Sequence, residues 1–168
     1  MGITIREEGP DDQLAIREVN RLAFGQDDEG RLVDALRDQA YARISLLAED
    51  AGRLIGHILF SDLPILTPNG PIAALALAPL AVVPDRQRQG IGSMLAEEGL
   101  RVARQREHRI VLVLGHPEFY ARFGFSSKLA ERLRSPYSGA AFMALELVPR
   151  ALEDVTSEVR YPPPFEGL

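Results

Sequence analysis

Apolar and polar positions change their period several times along the chain, and each change predicts an element. Ile3 to Arg6 alternates as a short half-buried strand does, and Gly9-Pro10-Asp11-Asp12 then gives the punctuation of a helix start. Ile16, Val19 and Ala23 recur at helical spacing with Leu22 beside them, and Leu32, Val33 and Leu36 mark a second, shorter amphipathic helix. The segments from Ile44 to Glu49 and from Leu54 to Ser61 read as antiparallel strands, because Asp50-Ala51-Gly52-Arg53 between them has hairpin length and turn chemistry. After a turn-rich link, Pro64 to Pro71, the run IAALALAPLAVV from Ile72 to Val83 is apolar on both alternations, as a central strand covered on two faces must be. A glycine loop, a helix to about Arg106, a buried strand IVLVLG from Ile110, a short segment around Glu118 to Arg122 and a last strand AFMALELV complete the order β, α, α, β, β, β, α, β, α, β. No internal repeat and no dividing linker interrupt it.

Two places break these patterns. Pro79 lies inside the central run, where it has no N–H for a ladder, so a local break in pairing is expected near Pro79 to Ala81. Such a break turns backbone amides toward water, a bulge or a ligand. Shortly afterwards VVPDRQRQGIGSML places Gly90 and Gly92 at a helix start beside arginine and glutamine. Glycines are poor for a helix, yet they let an anion approach the unpaired N–H groups and positive dipole end without a Cβ in the way. Arg88 adds charge and Ser93 a hydroxyl donor. GxxxxGK[ST] is absent, and GxGxxG fails at its third glycine, which is Leu95.

Composition narrows the chemistry. The 168 residues suit one domain, and the formal charge of −5 argues against a nucleic-acid partner, so any anion must be held locally. No cysteine is present, which removes disulfides, thiolate metal sites and a thiol nucleophile; no metal site is expected. MGITIREEGPDDQ lacks the apolar core of a signal peptide and no apolar run reaches bilayer length, so a cytoplasmic protein with no membrane partner is expected.

The hexamer Gln87-Arg88-Gln89-Gly90-Ile91-Gly92 fits (Q/R)xxGx(G/A), and FYARFGF, Phe119 to Phe125, follows the next strand. Together with the element order, these resemble the GNAT N-acetyltransferase superfamily. The phrases GHILFS, LAPLAV, QRQGIGS, LGHPEFYARFGF and PYSGAAFMALEL look most like its YhbS-like branch. The resemblance implies an α/β (α+β) fold: a mixed, mainly antiparallel sheet flanked by helices, with a bulged central strand. Residues 1–148 would form the acetyl-CoA-binding domain, and 149–168 a C-terminal extension packed on it or at a homodimer contact. Acetyl-CoA is the implied cosubstrate, and the acceptor a small-molecule or peptide amine. With no cysteine to carry the acyl group, transfer would go directly from thioester to amine in a ternary complex. A CoA-binding sensor or interaction module without transfer activity is the alternative.

Residue by residue, the resemblance implies that backbone N–H groups of Gln89, Gly90, Ile91, Gly92 and Ser93, with the start of the following helix, hold the CoA pyrophosphate, and that Gln87 and Arg88 belong to the same cofactor site. The backbone of Ala81, Val82 and Val83 would pair with the pantetheine arm, and an N–H near Leu80 or Ala81 would face the thioester carbonyl. Tyr120 matches the tyrosine assigned as general acid toward the departing thiolate. One departure is Val113, where many relatives carry an asparagine that contacts the cofactor.

Proton bookkeeping sets the remaining demand. A lysine-like amine of pKa ~10.4 costs roughly 4 to 5 kcal/mol to deprotonate at pH 7, which a carboxylate, a histidine or an ordered water must offset. Glu118 and His116 stand beside Tyr120, and Glu49 and His57 lie on the preceding strands. His57 alternates with Ile55 and Leu59 and reads first as a packed or hydrogen-bonded strand histidine. Asp27-Asp28-Glu29 reads as a solvated helix start, and Arg101, Arg104, Arg106 and Arg109 as a solvated face, with contact of one of them to the adenosine phosphate of CoA as the alternative. The tail VRYPPPFEGL cannot continue a helix or interior strand through its prolines; Tyr161 and Phe165 are its candidates for packing.

Overall fold

The computed structural model of the chain describes residues 2–137, 139–153, 155 and 157–167. Strand β1 (Ile3–Glu7) runs antiparallel to β2 (Ala42–Asp50), which turns into β3 (Arg53–Asp62). The turn needs only Ala51 and Gly52, both at positive φ (51° and 79°), the conformation that tight hairpins demand. Between β1 and β2 the chain forms α1 (Gln13–Phe24) and α2 (Asp28–Asp38). Their apolar stripes, Ile16 with Leu32, Val33 and Leu36, pack on Leu47 and Leu59. The strand period of two sends Leu46, Ile58 and Phe60 to the opposite face, where α3 (Ile91–Gln105) covers them with Leu95, Ala96 and Leu100.

The main sheet continues through β6 (Leu75–Val82), β7 (Ile110–Leu114) and β9 (Phe142–Glu146), in the order β1-β2-β3-β6-β7-β9. Its pairs are antiparallel except β6 with β7, so it is mixed and mainly antiparallel, flanked by helices on both faces. One turn of helix, α4 (Pro117–Tyr120), follows β7 and runs into a 3₁₀ turn, Ala121–Phe123; α5 (Ser127–Ala130) comes next.

Three expectations shift. First, Phe60 faces Leu77 and Ile58 faces Leu80, so Ala78 and Pro79 together oppose Leu59. The bulge therefore ends at the proline, and Leu80 and Ala81 are back in register with β3, because only the residue lacking an N–H needs to leave the ladder. Second, the link from Pro64 to Pro71 is itself a hairpin, β4 (Ile65–Thr67) with β5 (Gly70–Ile72). The Thr67 hydroxyl donates to the Gly70 carbonyl at 2.7 Å and accepts from Asn69 N–H at 3.1 Å, closing the turn. Third, β4 pairs with β10 (Ser157–Val159), which also pairs in parallel with β8 (Leu133–Arg134), giving a second sheet ordered β5-β4-β10-β8. Val159 and Phe165 are buried in the same cluster as Ile65 and Leu133, and Tyr161 meets both Tyr137 and Phe165 edge-to-face at 5.1 Å.

Candidate active site

Two adjacent parallel strands deliver their following loops to the same edge of the sheet, and here those loops carry the glycine motif and the tyrosine motif. The ladder between β6 and β7 stops at Leu77 opposite Val113, while β6 runs on to Val82, so the strands part at their carboxyl ends. Val83 N–H donates to the Ile55 carbonyl at 3.0 Å, on the β3 side. Alternation then turns Ala81 toward β3 as well and directs the amide and carbonyl groups of Leu80 and Val82 into the gap facing β7. Gln87 supports this, since its Nε2 donates to the Val82 carbonyl at 2.9 Å. Of the two candidate oxyanion donors, Leu80 N–H faces the gap and Ala81 N–H faces β3.

A 3₁₀ turn, Pro84–Arg86, leads into the glycine loop. Gly90 caps α3 in the left-handed region (φ 84°), and no heavy atom lies within 4 Å of where its Cβ would stand. The first intrahelical bond runs from Met94 N–H to the Gly90 carbonyl, and no side chain caps the helix. The N–H groups of Ile91, Gly92 and Ser93 are thus the open donors of a helix start, beside a glycine that leaves room for an oxyanion. Gln87, Arg88, Gln89 and Gly90 are exposed, Gly92 and Ser93 half-buried, and Ile91 is buried against β3.

The tyrosine motif meets this loop directly. A Cβ on Gly92 would lie 3.6 Å from the Phe119 ring, and Arg122 Nη2 donates to Ser93 Oγ at 3.1 Å. Tyr120 turns inward, packed edge-to-face on Phe119 (4.9 Å) and Phe125 (5.7 Å), and burial pushes its phenol up to about 12. Its ring occupies the space a side chain would need at position 115, where a Cβ would stand 2.5 Å from Cε2. Exposed His116 and Glu118, with Pro117, Phe119 and Arg122, line a cleft of about 690 Å3. Val113 is buried in the core.

The other two proton acceptors lie elsewhere. Glu49 is on β2, two strands from the gap, and pairs with Arg6 at 3.1 Å. His57 is fully buried beneath α1, and burial lowers it to about 4. Its Nε2 lies 2.9 Å from Ser45 Oγ, and that hydroxyl donates to Glu8 at 2.6 Å. Neutral His57 therefore donates from Nε2 to Ser45 and presents Nδ1 to Asn20 Nδ2 at 3.5 Å. These hydrogen bonds tie α1, β2 and β3 together; His57 stands on β3 opposite Ala81 of β6, and burial closes it off from solvent. Gly115, Phe119, Arg122 and the Asn20–Ser45 network carry no signal of their own in the sequence, because each depends on a contact across elements. Among the described residues no group of three or more metal-ligating side chains occurs, and no helix is long and apolar enough to cross a membrane.

Residues 4–127 match the acetyltransferase (GNAT) domain family. The chain belongs to that family. It is 34% identical to the uncharacterized N-acetyltransferase YhbS of Escherichia coli K12 over 160 residues, 94% of this chain and 95% of that protein. The uncharacterized N-acetyltransferase YjhQ of the same strain is 40% identical over 116 residues, 68% of this chain and 64% of the relative. Among solved structures, E. coli YhbS in complex with CoA superposes with a TM-score of 0.90 at 33% identity, covering 99% of this chain and 93% of the other. A GNAT family acetyltransferase from Brucella melitensis in complex with acetyl-CoA gives 0.81 at 34% identity, covering 97% of each. The protein is thus a GNAT acetyltransferase whose fold matches CoA-bound relatives across its length.

Proposed function

We propose that this chain transfers the acetyl group of acetyl-CoA directly to an amine, with both substrates bound at once in the gap between β6 and β7. The observation that carries the reading is the parting of these two strands, between a glycine-capped helix start on one side and Tyr120 on the other. The donor set fits CoA: three open amides at Ile91 to Ser93 for a pyrophosphate, and Leu80 and Val82 backbone groups for an extended amide-bearing arm. Relatives of 33% and 34% identity bind CoA and acetyl-CoA in this fold.

Bound acetyl-CoA supplies a thioester, whose carbonyl carbon accepts the amine lone pair and then loses the thiolate. Leu80 N–H is the chain's donor for the oxygen that gains charge during that attack. Glu118 and His116, exposed on the turn that carries Tyr120, are the chain's candidates to take the proton that the amine must lose, directly or through one water. Tyr120 is on the thiol side as hydrogen-bond donor to the leaving sulfur. The acidic balance of the chain favours a cationic acceptor, whether a small molecule or a peptide amine.

The test is CoA release from acetyl-CoA across a panel of polyamines, amino-acid derivatives, aminoglycosides and peptide amino termini, followed by two-substrate kinetics on any acceptor found. Intersecting initial-rate lines support the ternary complex; parallel lines show a covalent acetyl-enzyme and overturn it. Tight acetyl-CoA binding with no turnover across the panel supports a CoA-binding sensor instead.

A further inference from the structure

Four guanidinium groups lie on or are bonded to the glycine loop, and their partners divide them. Arg53 pairs with Asp85 and Arg86 with Asp50, each at 2.9 Å, so both charges are compensated. Arg88 and Arg122 have no carboxylate partner among the described residues. Arg88 is exposed on the loop at φ 62° and makes no side-chain contact that fixes it. Arg122 is fixed: its guanidinium lies 4.7 Å over the Phe119 ring and 5.6 Å from that of Phe123, Nε donates to the Phe119 carbonyl at 3.3 Å, and Nη2 to Ser93 Oγ at 3.1 Å.

We infer that Arg122 is a phosphate ligand of the cosubstrate, completing the anion site begun by the open amides of α3; this assignment rests on the acetyl-CoA reading of the cleft. All of its partners are neutral, so they orient the cation without cancelling its charge. A guanidinium has five N–H donors; two are used here, leaving three in a fixed plane. That plane is the geometry that suits two oxygens of one phosphate. Its hydroxyl partner, Ser93, is the third residue of α3, so an anion resting on the helix start reaches the guanidinium and the amides together. The position also links the two ends of the ligand. A single turn sends Tyr120 inward, and Arg122, two residues later, outward over the loop, so one short segment would meet both the thiol end and the phosphate end.

The experiment is calorimetric titration of the full chain and of Arg122→Leu and Arg122→Lys with acetyl-CoA, acetyl-dephospho-CoA and S-acetylpantetheine. Arg122 is exposed, and ligand-free melting of each variant checks that the fold is retained. We expect Arg122→Leu to bind acetyl-CoA roughly 10- to 100-fold more weakly, with S-acetylpantetheine unaffected and Arg122→Lys in between. A loss that persists with acetyl-dephospho-CoA assigns Arg122 to the pyrophosphate; a loss that disappears assigns it to the 3′-phosphate. Arg122→Leu binding acetyl-CoA as the parent does, or losing equally toward S-acetylpantetheine, overturns the inference while leaving the acetyl-CoA reading intact. A parent chain that binds none of the three overturns both.

Discussion

Burial raises the Tyr120 phenol to about 12, whereas a simple thiol titrates near ~8.5, a gap of about 5 kcal/mol against full proton transfer. In the proposed reaction Tyr120 would therefore assist by a hydrogen bond to the departing sulfur, with the final proton going to solvent. Tyr120→Phe should slow turnover about 10-fold, short of the ~10² to 10⁴ of a full acid–base catalyst, with acetyl-CoA affinity unchanged; unaltered turnover would remove Tyr120 from the chemistry. His57 gives a prediction of a different kind. Its folded value, lowered to about 4, lies below the ~6.5 of an unfolded histidine, so the unfolded chain binds more protons between those limits. Stability is fully present above pH ~6.5 and is lost as pH falls toward 4, by on the order of 3 kcal/mol. Glu8, held below the usual carboxylate range despite burial by Arg37 and Ser45, adds to the loss only at the acid end of that window. Denaturant midpoints measured from pH 7 to 4.5 should fall in the parent and stay flatter in His57→Gln. Equal slopes in the two would show that His57 is not the group responsible.

Among the elements, the long periodic ones were legible and the three-residue ones were not. Helices α1, α2 and α3 and strands β2, β3 and β6 each carry enough repeats for the burial pattern to emerge from sequence. Strands β4, β5, β8 and β10 hold two or three residues each, too few for any period, and they exist because they pair with one another. The candidate site divides in the same way. Gly90 and Tyr120 were visible because each belongs to a contiguous motif. Arg122 stood inside the second motif without a role, since nothing local reveals that α4 packs on the start of α3. The seat of α3 on β3 is equally non-local: a Cβ on Gly99 would stand 2.4 Å from the Phe60 ring, and one on Gly56 2.9 Å from Leu95. Gly99→Ala should thus cost about 1 to 3 kcal/mol through overpacking, read as a lower urea midpoint with unchanged slope. An unchanged midpoint would mean that the helix slides without cost and that its start is not fixed by this contact.

For the whole molecule, the C-terminal segment closes a second sheet and buries Val159 and Phe165 against β4 and β8. Ending the chain at Val155 removes both side chains and should cost roughly 3 to 6 kcal/mol; a truncated chain that melts with the parent would show that the tail only rests on the surface. Acetyl-CoA is proposed to bind between the parted strands and the glycine-capped helix. The most direct measurement is thermal unfolding with acetyl-CoA, CoA, ATP and NAD, beside Gly90→Glu, which places a carboxylate and a strained φ of 84° at the helix cap. At a hundredfold excess over its dissociation constant, acetyl-CoA should add about 2.7 kcal/mol of stability, and the variant should lose that gain. No shift with acetyl-CoA, or a larger one with ATP or NAD, would contradict it.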